Sequence, residues 1–189
     1  MTVRRLGLFG GTFDPPHFGH VAALKAAAHT GRFDIIEVTV AGDPYQKSAT
    51  GLVHPAASRL AMARAAFEGL DLVRVSDREI RREGPSYTID TVYELLEDVE
   101  DVDLILGADL VGRIDSWHDS DTLRTLVAVG VVPRPGGSME VPDGWESYEI
   151  PMDPVDLSST FIREIPNSPE NLRDYVPEEV IPLYESFQR

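Results

Sequence analysis

The chain has 189 residues, a formal net charge of −15, no cysteine, and ordinary globular shares of apolar (42%) and charged (26%) residues. That length suits one domain with a buried core; the lack of cysteine excludes a disulfide framework, a thiolate nucleophile and a cysteine metal site, and no apolar run is long enough for a membrane helix. The acidic balance, with only Lys25 and Lys47 beside fifteen arginines and no basic block, excludes a general nucleic-acid binder, so a phosphate ligand has to meet a local site.

The opening "MTVRRLGLFGG" carries two arginines and a short apolar run that stops at a glycine pair, which reads as a first strand and not an export signal. A cytoplasmic location is the simplest expectation. Next comes an alanine-rich helix from about Phe18, with Gly31 suited to a left-handed cap and small side chains that let it lie close to a sheet. "DIIEVTVA", "DLVRVSD", "DLILGAD" and "AVGVVPRPG" follow as strands, separated by the helix-like "PAASRLAMARAAFEG", "YTIDTVYELLED" and "SDTLRTLV". Such alternation predicts an α/β fold: a Rossmann-like, doubly wound parallel sheet with helices on both faces. Ile89, Val92, Leu95 and Leu96 make one buried stripe, and Asp90, Glu94, Glu97 and Asp98 read as a solvated face. After Arg134 the composition shifts to Pro, Gly and acid. The stretch 135–155 reads as a mobile loop with one short strand near Tyr148 to Ile150. A short helix is expected after "DLSST" and a last one near Pro177 to Phe187, kinked or split by Pro182. One domain, 1–189, with a helical C-terminal part from about 156, accounts for the whole.

Chemistry concentrates in "GLFGGTFDPPHFGH". Gly10 and Gly11 let the backbone approach a ligand, and the free amides of a new helix favour an anion such as phosphate. His17 and His20, three apart, share a helix face turned toward that anion. Taken singly, a glycine pair is also an ordinary turn, and two histidines at this spacing also suit a metal or a cap. In "LSSTFIRE", Ser158, Ser159 and Thr160 bring hydroxyls and amides to a helix start with Arg163 one turn on, either a second anion site or a plain serine cap with a surface arginine.

These residues resemble the nucleotidyltransferase superfamily that carries a His-x-x-His helix start, here His17 to His20 after Gly10, Gly11, Thr12 and Phe13. Within it the chain looks most like the bacterial nicotinate mononucleotide adenylyltransferases. "GPSYTIDT", "ILGADL", Trp117, "VPRPG" and "LSSTFIRE" follow in that family's order over nearly the whole chain. The resemblance implies adenylyl transfer from ATP to nicotinate mononucleotide, giving deamido-NAD and pyrophosphate. By the same resemblance His17, His20, Lys47 and Arg163 are catalytic; Gly10, Gly11, Thr12, Phe13, Gly107, Asp109, Ser158, Ser159 and Thr160 bind ATP; and Thr88, Trp117 and Arg134 bind the mononucleotide. Asp109 also reads as a helix cap, Trp117 as core packing and Arg134 as a surface arginine.

Gln46 stands where the family commonly has a histidine before the lysine, and Ala41 where a proline is usual. Magnesium is expected to travel with ATP, and no protein ligand is nominated for it. Partners are then ATP and the mononucleotide, with neither nucleic acid nor membrane, and homo-oligomerisation left open. The rival acceptors are nicotinamide mononucleotide, phosphopantetheine or a CTP-dependent alcohol phosphate. A non-catalytic nucleotide sensor and a histidine-metal hydrolase are the rivals of another class.

Overall fold

In the computed structural model, which describes residues 3–43 and 53–187, the apolar runs become six strands: β1 Arg5–Gly11, β2 Ile35–Val40, β3 Val73–Ser76, β4 Asp101–Gly107, β5 Val127–Val132 and β6 Ser147–Glu149. All pair in parallel, in the order β3-β2-β1-β4-β5-β6. This is the doubly wound arrangement, in which the chain reverses direction across the sheet between β1 and β4. Gly11 lies opposite Val40 and Gly107 opposite Val132, so the carboxyl ends of these four strands share one edge.

Alternating side chains divide the core between the two faces. Leu6 and Leu8 of β1 and Val102, Leu104 and Leu106 of β4 bury against the helices α4 (Thr88–Leu96) and α6 (Ser120–Leu126). Phe9 and Ile105 point the other way, to α1 (Phe18–His29) and α2 (Ala56–Phe67). Short helices α3 (Arg78–Arg81) and α5 (Ala108–Val111) fill out the crossovers. In α1 the alanines do what their size suggests: Ala23 and Ala27 are buried beside Leu24, and Gly31 follows with φ +65°.

Three sequence expectations change in detail. Glu94 and Asp90 are not simply solvated, because Arg78 reaches Glu94 at 3.0 Å and Arg82 reaches Glu94 at 2.9 Å and Asp90 at 3.6 Å. The 135–155 stretch is irregular but anchored: Trp145 and Ile150 are buried, and the Trp145 indole donates to Asp115 at 2.8 Å. Past α7 (Ser159–Glu164) an unforeseen turn of helix, α8 (Pro169–Leu172), starts at Ser168, and α9 (Ile181–Phe187) begins one residue ahead of Pro182 after a 3-10 turn at Glu178–Val180. Proline thus sits in a first turn, where its missing amide costs nothing. Ile162, Leu172, Val180 and Tyr184 from these segments share the core of α1 and α2.

Candidate active site

The edge formed by the carboxyl ends of β1, β4 and β5 opens into a cavity of about 270 Å³. Ligands in open parallel sheets lie at such an edge, where the strand order reverses. Gly10 and Gly11 form its floor. A Cβ on Gly10 would meet nothing within 4 Å, so the backbone faces open space, whereas one on Gly11 would fall 2.8 Å from the Phe13 ring, which occupies that side. Phe13 takes φ +52°, an unusual backbone held by packing of its ring against Phe9 and Phe67.

His17 is the N-cap of α1 and His20 its third residue. Their rings lie 3.7 Å apart, centroid to centroid, and both line the cavity. The His17 backbone N–H donates to His20 Nδ1 at 3.1 Å, which leaves the proton of a neutral His20 on Nε2. His17 is only 2% exposed, and burial, with the Arg134 guanidinium nearby, pushes its imidazole down to about 3. It is therefore neutral at ordinary pH. Its Nδ1 has no hydrogen-bond partner among the described residues, and the ring packs so near Gly19 that a Cβ there would lie 3.0 Å from Nδ1.

From the far side comes the C-terminal segment. Ser158 caps α7, its Oγ accepting from the Phe161 amide at 3.1 Å, so the cap reading of this serine holds while it also lines the cavity. Ser159 Oγ donates to the Pro15 carbonyl at 2.8 Å, and Arg163 Nη1 donates to the Asp14 carbonyl at 2.7 Å. Arg163 Nη2 also donates to Thr160 Oγ1 at 3.2 Å. Arg134, after β5, donates to the Val155 and Leu157 carbonyls at 3.3 and 2.7 Å, with Nε 3.7 Å from Asp109. Asp109 itself is exposed in the first turn of α5, after Gly107.

The cavity thus brings together Gly10, Gly11, Thr12, Phe13, His17, His20, Gly107, Asp109, Arg134, Ser158, Ser159, Thr160 and Arg163. Arg134, expected with Thr88 and Trp117 to bind the mononucleotide, lines this cavity beside His17. Thr88 and Trp117 are not among the lining residues. Thr88 opens α4, and Trp117 follows a 3-10 turn at Ile114–Ser116 and packs on the second core. Their neighbours Tyr87 and His118 stack at 4.0 Å and 19°, which sets the two segments side by side. Lys47 lies outside the described residues.

Sequence reasoning passed over a buried pair below the cavity. Asp14, 1% exposed, accepts from the His54 amide at 3.1 Å and meets His54 Nδ1 at 2.5 Å. The sign available was the carboxylate inside the glycine turn itself, between Phe13 and Pro15. As for a metal, no group of three or more His, Asp or Glu side chains suited to one occurs among the described residues. No helix is long and apolar enough to cross a membrane among those residues.

Residues 8–165 match the cytidylyltransferase-like family model. The chain is 40% identical over 167 residues to a probable nicotinate-nucleotide adenylyltransferase of Methylibium petroleiphilum, covering 85% of this chain and 78% of that one. It is 35% identical over 185 residues to the Exiguobacterium sibiricum protein of the same name, covering 97% of each. The fold is also that of Plasmodium falciparum nicotinic acid mononucleotide adenylyltransferase complexed with NaAD, with a TM-score of 0.81 at 18% identity over 98% of this chain and 96% of the other. The chain belongs to the cytidylyltransferase-like family and, within it, to the nicotinate-nucleotide adenylyltransferases.

Proposed function

We propose that this protein transfers the adenylyl group of ATP to nicotinate mononucleotide, forming nicotinate adenine dinucleotide and releasing pyrophosphate. The observation that carries the reading is the single cavity in which the glycine turn, the paired histidines and Arg163 converge at the strand ends. Arg163 donates to the Asp14 carbonyl and the Thr160 hydroxyl and meets no carboxylate among the described residues, which leaves its charge available to an anion, while Arg134 donates to two carbonyls with Asp109 at 3.7 Å.

The mononucleotide phosphate attacks the α-phosphorus of ATP in line; a new P–O bond forms while the α–β bridging bond breaks, and pyrophosphate leaves with the electron pair. The nucleophile is already an anion, so no general base is required, and catalysis rests on alignment and charge stabilisation. In this reading the amides of Gly10 to Phe13 and the rings of His17 and His20 hold the α-phosphate, and Arg163 with Ser158, Ser159 and Thr160 holds the departing pyrophosphate. Gly107 and Asp109 flank the adenosine. Thr88 and Trp117 frame the nicotinate, and Lys47, by the family resemblance, and Arg134, beside His17, offset the charge of the mononucleotide phosphate. Magnesium would arrive with ATP as part of the substrate and offset phosphate charge there, with no side chain of this protein nominated to hold it. The reaction belongs in the cytoplasm, where ATP is made.

Pyrophosphate release with magnesium and ATP, offering nicotinate and nicotinamide mononucleotides in parallel, tests the reading. The expected result is a higher kcat/KM with the acid, lost in His20→Ala. Equal silence with both acceptors would refute it.

A further inference from the structure

An arginine stands where the pattern of α2 calls for an apolar residue. Met62, Ala63, Ala66 and Phe67 form the buried stripe of this helix, and Arg59, one turn earlier on the same face, is 1% exposed. A buried guanidinium persists only where its donors are met. Here they are divided among three stretches of chain. Nε donates to the His54 carbonyl at 2.9 Å, Nη1 to the Thr12 carbonyl at 2.9 Å and Nη2 to the Gly42 carbonyl at 3.2 Å. Thr12 belongs to the glycine turn that lines the cavity, Gly42 lies just past β2, and His54 precedes α2.

The contacts continue upward. His54 holds both carboxylate oxygens of Asp14, whose carbonyl receives Arg163. Burial lowers the Arg59 pKa, and the Asp14 carboxylate works against that shift; the guanidinium stays charged, as arginine does in proteins. Arg59 does not line the cavity, so it touches no substrate there.

We propose that Arg59 is a positioning residue for adenylyl transfer: its guanidinium, forked to Thr12, Gly42 and His54, fixes the phosphate-binding turn against the ends of β2 and α2 and, through His54 and Asp14, sets where Arg163 stands. The role rests on the adenylyltransferase reading of the cavity. It requires a planar fork with donors in three directions, which the single ammonium of lysine does not reproduce.

Arg59→Lys and Arg59→Ala are compared with the wild-type chain at a temperature where all three are folded by circular dichroism. We expect kcat to fall about tenfold to a hundredfold in Arg59→Lys, the penalty of a small misplacement of reacting groups, with KM for nicotinate mononucleotide changed much less. Added guanidinium restores part of the Arg59→Ala rate at a concentration that leaves the wild type unaffected. Without substrates, hydrogen exchange in the 10–14 turn accelerates in both variants while β4 and β5 keep their protection. Unchanged kcat and unchanged exchange in the turn, with only a lowered Tm, would reduce Arg59 to a core residue and overturn the proposal. Should Arg59→Ala not fold, Arg59→Lys decides. Should the wild type release no pyrophosphate, the functional reading fails, and the exchange measurement still decides whether Arg59 holds the turn.

Discussion

Buried charged groups are handled in two different ways in this fold, according to which end of the strands they occupy. Toward the amino ends, carboxylates meet arginines directly. Asp103 of β4, 4% exposed at its side chain, takes Arg32 at 2.6 Å and the Tyr148 hydroxyl at 2.8 Å, and Glu37 of β2 takes Arg74 at 2.8 Å and Arg78 at 2.5 Å. Toward the carboxyl ends, buried Arg59 and half-buried Arg134 and Arg163 give most of their hydrogen bonds to backbone carbonyls, with Asp109, 3.7 Å from Arg134, as a carboxylate. There buried Asp14 meets His54 and no arginine among the described residues, and His17 is buried neutral. A carboxylate partner cancels a cation, whereas a carbonyl orients it and leaves the charge in place. The difference shows how a chain of net charge −15 can still offer a polyanion a favourable pocket.

The largest expected effect falls on the pocket. His20→Ala should lower kcat about a hundredfold to a thousandfold, the loss seen when one transition-state donor is removed, with thermal stability little changed. A matching loss of Tm, with normal turnover, would place His20 in the structural class and blur the division. At the opposite end the pattern inverts: Asp103→Asn should cost about 2 to 3 kcal/mol in denaturant unfolding, because it strips a charged partner from Arg32, and leave kcat unchanged. Reduced turnover in that variant would mean the two ends are coupled.

The third expectation concerns pH. In the unfolded chain the His17 imidazole takes its proton near pH 6.5, while in the native protein burial holds it neutral down to about 3. Between those values the unfolded state binds more protons, so stability rises with pH. The His17 contribution is intact above about pH 6.5 and lost as pH falls toward 3. Urea titrations of wild type and His17→Gln should therefore converge on acidification, the gap changing by up to about 1.4 kcal/mol per pH unit. Parallel profiles would contradict a buried, neutral His17. Smallest is Ser158→Ala, which removes the α7 cap and should lower stability by about 1 kcal/mol.

Much of this was legible because it is local. The strand and glycine pair of β1, the helix start at His17 and the serine cap at Ser158 each follow from neighbours in sequence. Shorter pieces such as α3 and α8, each four residues, leave too little periodicity to read. What escaped depends on contacts between distant segments. Nothing near Arg59 in sequence announces the Thr12 and Gly42 carbonyls it meets, 47 and 17 positions away, and nothing beside Asp14 announces His54, 40 positions away. Arg134 is legible as a cation after β5, but the Val155 and Leu157 carbonyls that hold it beside His17 lie 21 and 23 positions away.

The central claim is that the phosphates of ATP sit against the two histidines, and imidazole nitrogen NMR of the labelled protein tests it most directly. On addition of magnesium with a non-hydrolysable ATP analogue, the ring resonances of both His17 and His20 should move, while His29, on the exposed end of α1, stays where it is. Saturating analogue that leaves the His17 and His20 signals unmoved would contradict the account.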